Sequence, residues 1–235
     1  MLVHGFTQTA RVWDLIAPRL AGRSEVVTVD APGHGDSGAV RADLPSAARM
    51  LGAVGGPATY VGYSMGGRLC LRLAVNRPEL VHRLVLVSTT AGIEDPTERA
   101  ARRESDEELA ASIERDGVGA FLDRWLALPL FATLPRDVAS VDDRRRNTAA
   151  GLASSLRLAG TGAQEPLWDQ LGELPMPVLV IAGERDAKYV AIAERLRRLI
   201  PNATLMVIED AGHAVHLEQP DACAGVLERW MHSHP

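Results

Sequence analysis

The stretch "ATYVGYSMGGRL", residues 58–69, decides which fold this chain can adopt. A β-branched apolar run leads directly into "GYSMG", which fits the pattern G-x-S-x-G with Ser64 at its centre. In that pattern a strand turns sharply into a helix, and small residues on either side of the serine keep the two from colliding. We therefore predict that Ser64 is a nucleophile at the N-terminus of a helix. The alternative interpretation is an ordinary glycine-rich turn that requires positive φ.

Five further short runs are rich in Val, Ile and Leu, as is typical of parallel strands that are covered on both faces. They are "LVHGF" (2–6), "SEVVTVDAPG" (24–33), "HRLVLVST" (82–89), "PVLVIAGE" (177–184) and "ATLMVIED" (203–210). Helical stretches at 10–20, 65–77 and 190–200 separate most of these runs. The alternation predicts an α/β fold with an open, mostly parallel sheet and flanking helices.

The alternation breaks between the fourth and fifth strands, where no convincing strand occurs. Three helical stretches fill this part of the chain, at 95–117, 118–129 and 143–160. About 75 residues are too many for a simple crossover between two strands. We predict that residues 91–168 form a helical cap, or lid, over the carboxyl edge of the sheet. Residues 1–90 and 169–235 then form the core.

A serine hydroxyl needs a base, and the base needs an orienting acid, before it can act in catalysis at neutral pH. In this arrangement the chain order is serine, acid, histidine. Asp186 follows the fifth strand in "AGERDAKY", and His213 follows the sixth in "EDAGHAVH". Both positions lie at carboxyl ends of predicted strands, the same edge that carries Ser64. We predict a triad of Ser64, Asp186 and His213.

Other residues compete for these roles. Glu184 or Asp210 could replace Asp186 as the acid, although Asp210 is so close to His213 in sequence that its carboxylate would struggle to reach the far ring nitrogen. His216 could replace His213 as the base. Two histidines three residues apart could also ligate a metal, but no third ligand is apparent, so no metal site is predicted.

The stretch "HGFTQT" after the first strand supplies a candidate for an oxyanion hole. The backbone N–H of Phe6 is expected to pair with that of Met65 and to stabilise a developing negative charge. His4 is expected to orient this loop rather than to act in chemistry. His34 in "APGHGDSG" is expected to pack or to cap a loop.

The overall composition excludes several classes of protein. The net charge of −5 argues against general nucleic-acid binding, which uses a basic face. Two cysteines cannot form a disulfide framework and indicate free buried thiols in a cytoplasmic protein. No apolar run is as long as a membrane span, and the N-terminus lacks the pattern of a signal peptide. No glycine-rich phosphate loop follows a strand, so no cofactor is implied.

The basic residues are strongly biased toward arginine. Lys188 is the only lysine, so 24 of the 25 basic residues are arginine, and a single arginine is weak evidence for a special role. Among the remaining histidines, His82, His232 and His234 are expected at the surface.

Eight stretches carry a resemblance to a known family. They are "HGFTQT", "DAPGHGDS", "GYSMGGR", "ERAARR", "PLFATLP", "RRRNTAAGLASSLRLAGTGAQEPLW", "GERDAKY" and "AGHAVHLEQP". With these the chain resembles α/β-hydrolase-fold proteins over nearly its whole length. More narrowly it resembles the 2-succinyl-6-hydroxy-2,4-cyclohexadiene-1-carboxylate synthase family of menaquinone biosynthesis. Many esterases and peroxidases share the G-x-S-x-G turn and the histidine loop. The arginine after this turn, the cap stretches and "GERDAKY" are therefore the features that distinguish the synthase family.

The resemblance implies a lyase reaction rather than a hydrolysis. Family members eliminate pyruvate from an enolpyruvyl cyclohexene without adding water. A base removes the proton from the ring carbon next to the succinyl carbonyl, and an oxyanion hole stabilises the enolate that forms. A serine polarised by His213 and Asp186 can serve as that base, so the residues of a hydrolase are reused for an elimination.

The resemblance also implies a site for a polycarboxylate small molecule. Guanidinium groups bind carboxylates through two parallel hydrogen bonds. In the family, such arginines follow the G-x-S-x-G turn and line the lid. The matching residues here are Tyr63, Arg68, Arg102, Trp125 and Arg146. Arg68 lies one helical turn past Ser64 and can point at the pocket. Arg99 or Arg103 could take the place of Arg102.

The chain departs from the family at its start. Family members have about two strands ahead of the strand that precedes "HGF", whereas this chain begins at "MLVHGF". N-terminal edge strands are therefore expected to be missing, which would leave the "VVTVD" strand at the edge of the sheet and promote association. The oligomeric state is left open.

Two other functions stay open at this point. A serine hydrolase of an ester or a carbon–carbon bond in a carboxylated small molecule would use the same triad through an acyl-enzyme. A non-catalytic binding protein on this fold is the third hypothesis, and the complete set of triad residues argues against it.

Overall fold

A computed structural model describes residues 1–22 and 24–233 of the chain, so the prediction for His234 lies outside the described residues. Six strands form one sheet in the order β2-β1-β3-β4-β5-β6, and every neighbouring pair is parallel. The strands are β1 Leu2–Val3, β2 Thr28–Val29, β3 Ala58–Tyr63, β4 Val81–Val87, β5 Val178–Gly183 and β6 Ala203–Ile208. All six predicted strands are present, and β2 lies at one edge of the sheet as predicted.

Helices cover both faces of the sheet. They are α1 Ala17–Leu20, α2 Leu44–Gly55, α3 Met65–Asn76, α4 Pro96–Trp125, α5 Val141–Arg144, α6 Ala149–Ala159, α7 Ala187–Leu199, α8 Val215–Glu218 and α9 Pro220–Ser233. Helices α2, α3 and α7 share one apolar cluster with the sheet, and α1, α8 and α9 share the cluster on the other face. This two-sided burial explains why the central strands are continuous apolar runs, and it confirms the predicted fold class.

Some predicted elements differ in detail. The helix predicted over residues 10–20 is divided into a 3₁₀ turn at Ala10–Trp13 and the short helix α1, because Pro18 lacks an N–H and lies in the first turn of α1. Helix α2 was not predicted, although Asp43 caps it by accepting the N–H of Ser46.

All regular elements between β4 and β5 are helices. Helix α4 changes direction at Gly117, whose φ of 82° and ψ of 164° are not helical, so the two predicted stretches meet in one element. Helices α4 and α6 pack together around an apolar cluster of their own. The boundaries of the cap at 91–168 stay a prediction. Within residues 1–22 and 24–233, no helix is both long and apolar enough to cross a membrane.

Candidate active site

Ser64 occupies the sharp turn between β3 and α3. Its φ is 50° and its ψ is −108°, a conformation that side-chain-bearing residues rarely adopt. A Cβ atom on Gly62 would lie 2.4 Å from the carbonyl oxygen of Gly66, and one on Gly66 would lie 2.3 Å from that of Val3. The glycines are therefore required by the close approach of strand and helix, and the serine side chain is left at the carboxyl edge of the sheet.

Of the three residues predicted as a triad, His213 lies within hydrogen-bonding distance of both Asp186 and Ser64. His213 Nδ1 is 2.8 Å from Asp186 Oδ2, and His213 Nε2 is 3.2 Å from Ser64 Oγ. Asp186 caps α7, where its other oxygen accepts the N–H of Tyr189 at 3.2 Å. This second bond fixes the carboxylate so that it faces the imidazole.

The competing residues lie elsewhere. Glu184 accepts the backbone N–H of Asp210 at 3.2 Å, and the Asp210 carboxylate pairs with Arg185 at 2.5 Å on the surface. His216 is fully buried, and its ring lies 4.2 Å from the ring of Tyr63, centroid to centroid. The arrangement thus brings only Asp186 and His213, of the candidates, to Ser64.

The loop after β1 faces the same space as Ser64. Among the described residues, neither the N–H of Phe6 nor that of Met65 donates to a protein acceptor, and both residues line the cavity beside Ser64. Gln8 accepts the N–H of Gly5 at 3.1 Å, which holds the turn of this loop. These features are what an oxyanion hole requires, and its assignment to Phe6 and Met65 stays a prediction.

Two buried histidines support this loop from below. His4 Nε2 accepts the N–H of Ala31 at 3.0 Å, and His34 Nε2 accepts the N–H of Thr7 at 3.3 Å. Thr7 has a φ of 70°, and the bond from its N–H to His34 helps to hold this unusual backbone conformation. The positions agree with the supporting roles that the sequence suggested for His4 and His34.

A cavity of about 680 Å³ opens between the triad and the helical segment. Its walls combine apolar and aromatic surface with a small number of polar groups, as is typical of small-molecule sites. The aromatic residues that line it are Phe6, Tyr63, Trp125, Phe131 and Tyr189. The indole N–H of Trp125 is buried without a partner among the described residues.

Four cationic side chains line this cavity. They are Arg68, Arg102, Arg144 and Lys188. The Arg68 guanidinium is buried and donates from Nη1 to the carbonyl oxygen of Ala159 at 2.7 Å. Arg102 donates from Nε to the buried carboxylate of Asp106 at 2.7 Å. These bonds leave further N–H groups of both arginines free for a ligand.

The structure does not place Arg146 in the cavity. Arg146 is a third exposed and pairs with Asp36 and Asp143, each at 3.3 Å, on the outer surface. Arg144, two residues earlier, lines the cavity instead and is almost fully buried. It donates from Nη1 to Thr7 Oγ1, and its Nη2 has no partner among the described residues. The motif "RRRN" indicates that an arginine here lines the cavity, but sequence spacing alone does not show which of the three consecutive arginines it is.

Comparison with known proteins identifies the family. Residues 1–226 match the alpha/beta hydrolase family. The chain is 31% identical to the 2-succinyl-6-hydroxy-2,4-cyclohexadiene-1-carboxylate synthase of Salmonella schwarzengrund (strain CVM19633), over 97% of this chain and 90% of that protein. The chain belongs to the family of these synthases, within the alpha/beta hydrolases.

Two further similarities agree with membership of the synthase family. A relative in Bacillus subtilis (strain 168), whose name assigns it provisionally to the same synthase, is 35% identical over 98% of this chain and 89% of its own length. The structure of MenH from S. aureus has a TM-score of 0.94 and 30% identity, and the match covers 99% of this chain and 92% of that one.

A hydrolase of the same superfamily is also similar. The thermophilic esterase from Thermogutta terrifontis, solved with malate bound, has a TM-score of 0.85 and 25% identity, over 99% of this chain and 89% of the esterase. The fold is therefore shared between a synthase family and an esterase.

Burial controls the charge state of several side chains in this member of the synthase family. Burial lowers the pKa of His34 and of His216 to about 3, so both rings are neutral at pH 7. Burial also lowers the pKa of Arg68 and of Arg144 to about 10, which leaves both guanidinium groups charged. Burial raises the pKa of Tyr63, so its hydroxyl keeps its proton. At neutral pH the cavity therefore contains two buried cations.

Proposed function

We propose that this chain is a 2-succinyl-6-hydroxy-2,4-cyclohexadiene-1-carboxylate synthase. It eliminates pyruvate from 2-succinyl-5-enolpyruvyl-6-hydroxy-3-cyclohexene-1-carboxylate in menaquinone biosynthesis. One observation carries the proposal. The chain has a net charge of −5, yet four cations line the cavity beside Ser64. Among the described residues that line this cavity, Asp186 is the one carboxylate. The substrate bears three carboxylates, on the ring, the succinyl chain and the enolpyruvyl group, so its charge complements that of the cavity.

Ser64 acts as the base in this proposal. Asp186 accepts a hydrogen bond from the Nδ1–H of His213 at 2.8 Å. This bond leaves the Nε2 lone pair directed at Ser64 Oγ, 3.2 Å away. His213 can then take the hydroxyl proton of Ser64 while the serine oxygen removes the proton of the ring carbon next to the succinyl carbonyl. The electron pair of the broken C–H bond moves into the carbonyl, which becomes an enolate.

The N–H groups of Phe6 and Met65 stabilise that enolate. Both N–H groups are without a protein acceptor among the described residues and line the cavity beside Ser64. When the enolate carbonyl re-forms, its electrons make a C=C bond between ring carbons 2 and 3. The existing double bond between carbons 3 and 4 then shifts to carbons 4 and 5, and the bond from carbon 5 to the enolpyruvyl oxygen breaks. The leaving group takes up the proton held by His213 and departs as the enol of pyruvate. No water enters the reaction, and no metal or cofactor takes part in it.

The cations hold the three carboxylates. Arg68 and Arg144 lie deep in the cavity, and each retains N–H donors that no described residue uses. Arg102 lies in the first half of α4, and the exposed Lys188 lies in the first turn of α7. Tyr63 and Trp125 complete the walls. A planar guanidinium can bind each carboxylate with two parallel bonds, which fixes the ring relative to Ser64.

Pyruvate release tests the proposed function. The enolpyruvyl substrate is generated in situ by the enzyme of the preceding step, and pyruvate is followed with lactate dehydrogenase. Wild type is expected to release pyruvate well above the spontaneous rate, and Ser64→Ala, with an unchanged melting temperature, is expected to lose at least about 100-fold in kcat. Release at the spontaneous rate by folded wild-type protein would contradict the proposal.

The similarity to the Thermogutta terrifontis esterase favours one second candidate, a serine hydrolase of a carboxylated small molecule. A hydrolase would form an acyl-enzyme on Ser64, and a burst of product equal to the enzyme concentration would reveal it. Under the lyase proposal, simple esters are poor substrates and no burst occurs. Robust ester hydrolysis without pyruvate release would support the hydrolase instead.

A further inference from the structure

Tyr189 lies against the reacting centre, in the first turn of α7. Its backbone N–H donates to Asp186 Oδ1 at 3.2 Å. Its ring lies 4.5 Å from the ring of His213, centroid to centroid, with 56° between the two planes. The side chain also lines the cavity. Tyr189 therefore contacts two members of the triad and the space that the substrate occupies.

The hydroxyl of Tyr189 shares its surroundings with the cations of the cavity. Electrostatic interactions connect it with Arg68 and Arg102, while burial raises its pKa above the ordinary value. The phenol therefore keeps its proton at neutral pH and is a hydrogen-bond donor. No hydrogen bond joins this hydroxyl to another of the described residues, and the group is not sealed from the cavity.

Arg68 lines the same cavity as Tyr189 and has N–H donors that no described residue uses. Its Nη1 binds the carbonyl oxygen of Ala159 and the side-chain oxygen of Gln164, at 2.7 Å and 3.3 Å. Its other N–H groups are without partners among the described residues. A carboxylate has two oxygens with about four lone-pair directions, more than one partly engaged guanidinium can satisfy. A neutral O–H donor lining the same cavity can supply a further bond without adding charge.

We propose that Tyr189 determines specificity, because its hydroxyl donates a hydrogen bond to the substrate carboxylate that Arg68 and Arg102 bind. This inference rests on the proposed function. A phenylalanine would pack on His213 in the same way, so the ring alone does not require a tyrosine. The hydroxyl selects substrates that carry an anion at this place, and it does not change the chemical step.

The test compares Tyr189→Phe with Tyr60→Phe. Tyr60 is a matched control because its hydroxyl donates to the carbonyl oxygen of Gly56 at 2.7 Å, outside the cavity. Tyr189→Phe is expected to raise KM for the enolpyruvyl substrate about tenfold, the loss of one hydrogen bond to a charged group, with kcat and its pH profile little changed. Tyr60→Phe is expected to leave KM unchanged.

Two results would overturn the inference. One is an unchanged KM in Tyr189→Phe. The other is a lower kcat with a shifted pH profile and no change in KM, since that pattern shows that Tyr189 only positions His213. Binding of succinate, measured by calorimetry, separates this inference from the proposed function. Should wild type release no pyruvate, the proposed function fails, and a weaker succinate affinity of Tyr189→Phe than of wild type still supports the inference.

Discussion

At the residue scale, two neighbouring arginines differ in whether they reach the cavity. Arg144 and Arg146 are two residues apart, at the end of α5 and just beyond it. One enters the cavity and the other pairs with Asp36 and Asp143 outside it. The close approach of Ser64, Asp186 and His213 could be predicted because fold and chain order fix their positions. Which arginine of "RRRN" enters could not, because a four-residue helix sets the direction of each side chain.

Substitution of the two arginines tests this difference. Arg144→Gln is expected to lower kcat/KM for pyruvate release about 100-fold, because a substrate carboxylate loses a charged donor in a buried place. Arg146→Gln is expected to stay within about twofold of wild type, since its ion pairs are solvent-exposed. Steady-state kinetics on both variants, with melting temperatures to verify folding, would measure the difference. Equal losses in the two variants would contradict the placement of Arg144.

At the element scale, the short helix α5 and the residues after it hold the loop that follows β1. Asp143 accepts a hydrogen bond from the hydroxyl of Thr9 at 2.7 Å, and Arg144 donates to Thr7 Oγ1. Asn147 donates to the carbonyl oxygen of Thr7 at 2.7 Å and accepts the N–H of Gly35 at 2.8 Å. Helix α5 and the residues after it therefore hold the loop that carries the proposed oxyanion hole.

Asn147→Ala tests this link. The change leaves the carbonyl oxygen of Thr7 and the N–H of Gly35 without partners, which is expected to cost about 1–3 kcal/mol of unfolding free energy. It is also expected to lower kcat about 10- to 100-fold, because the neighbouring N–H of Phe6 loses its orientation. The control is Asn202→Ala, which removes an exposed bond to Pro175. A stable Asn147→Ala enzyme with wild-type kcat would show that the insertion does not position the loop.

Sequence patterns predicted the strands better than the helices. The central strands β3, β4 and β5 are continuous apolar runs that both faces of the sheet bury for most of their length, and such runs are visible without a structure. Helix α2 is not among the predicted helices, although the sequence contains its N-cap, Asp43, and the proline in its first turn. The helix expected over residues 10–20 is divided, and its second part, α1, begins just before Pro18. The apolar spacing of this stretch does not show that division.

At the scale of the whole molecule, two neutral buried histidines make stability depend on pH. The pKa of His34 and of His216 falls from 6.5 to about 3 on folding. Between these values the unfolded chain binds protons that the folded chain cannot, so their contribution is fully present above pH 6.5 and is lost as pH falls toward 3. Each histidine is expected to reduce the unfolding free energy by on the order of 2 kcal/mol between pH 7.5 and pH 5.

Urea unfolding at pH 7.5 and pH 5 would measure this loss. In His216→Gln the difference between the two pH values is expected to shrink by on the order of 2 kcal/mol. His82 is exposed, so His82→Gln serves as the control and is expected to keep the wild-type difference. An unfolding free energy that does not fall between pH 7.5 and pH 5 would contradict the neutral burial of both rings.

The measurement that tests the central claim most directly is an isotope effect on pyruvate release. The substrate carries deuterium on the ring carbon next to the succinyl carbonyl, and release is followed in a single turnover so that product departure does not mask chemistry. If Ser64, polarised by His213 and Asp186, removes this proton, the deuterated substrate reacts more slowly than the protonated one in wild type. Equal single-turnover rates for the two substrates would show that this C–H bond is not broken in the rate-limiting step and would contradict the elimination as described.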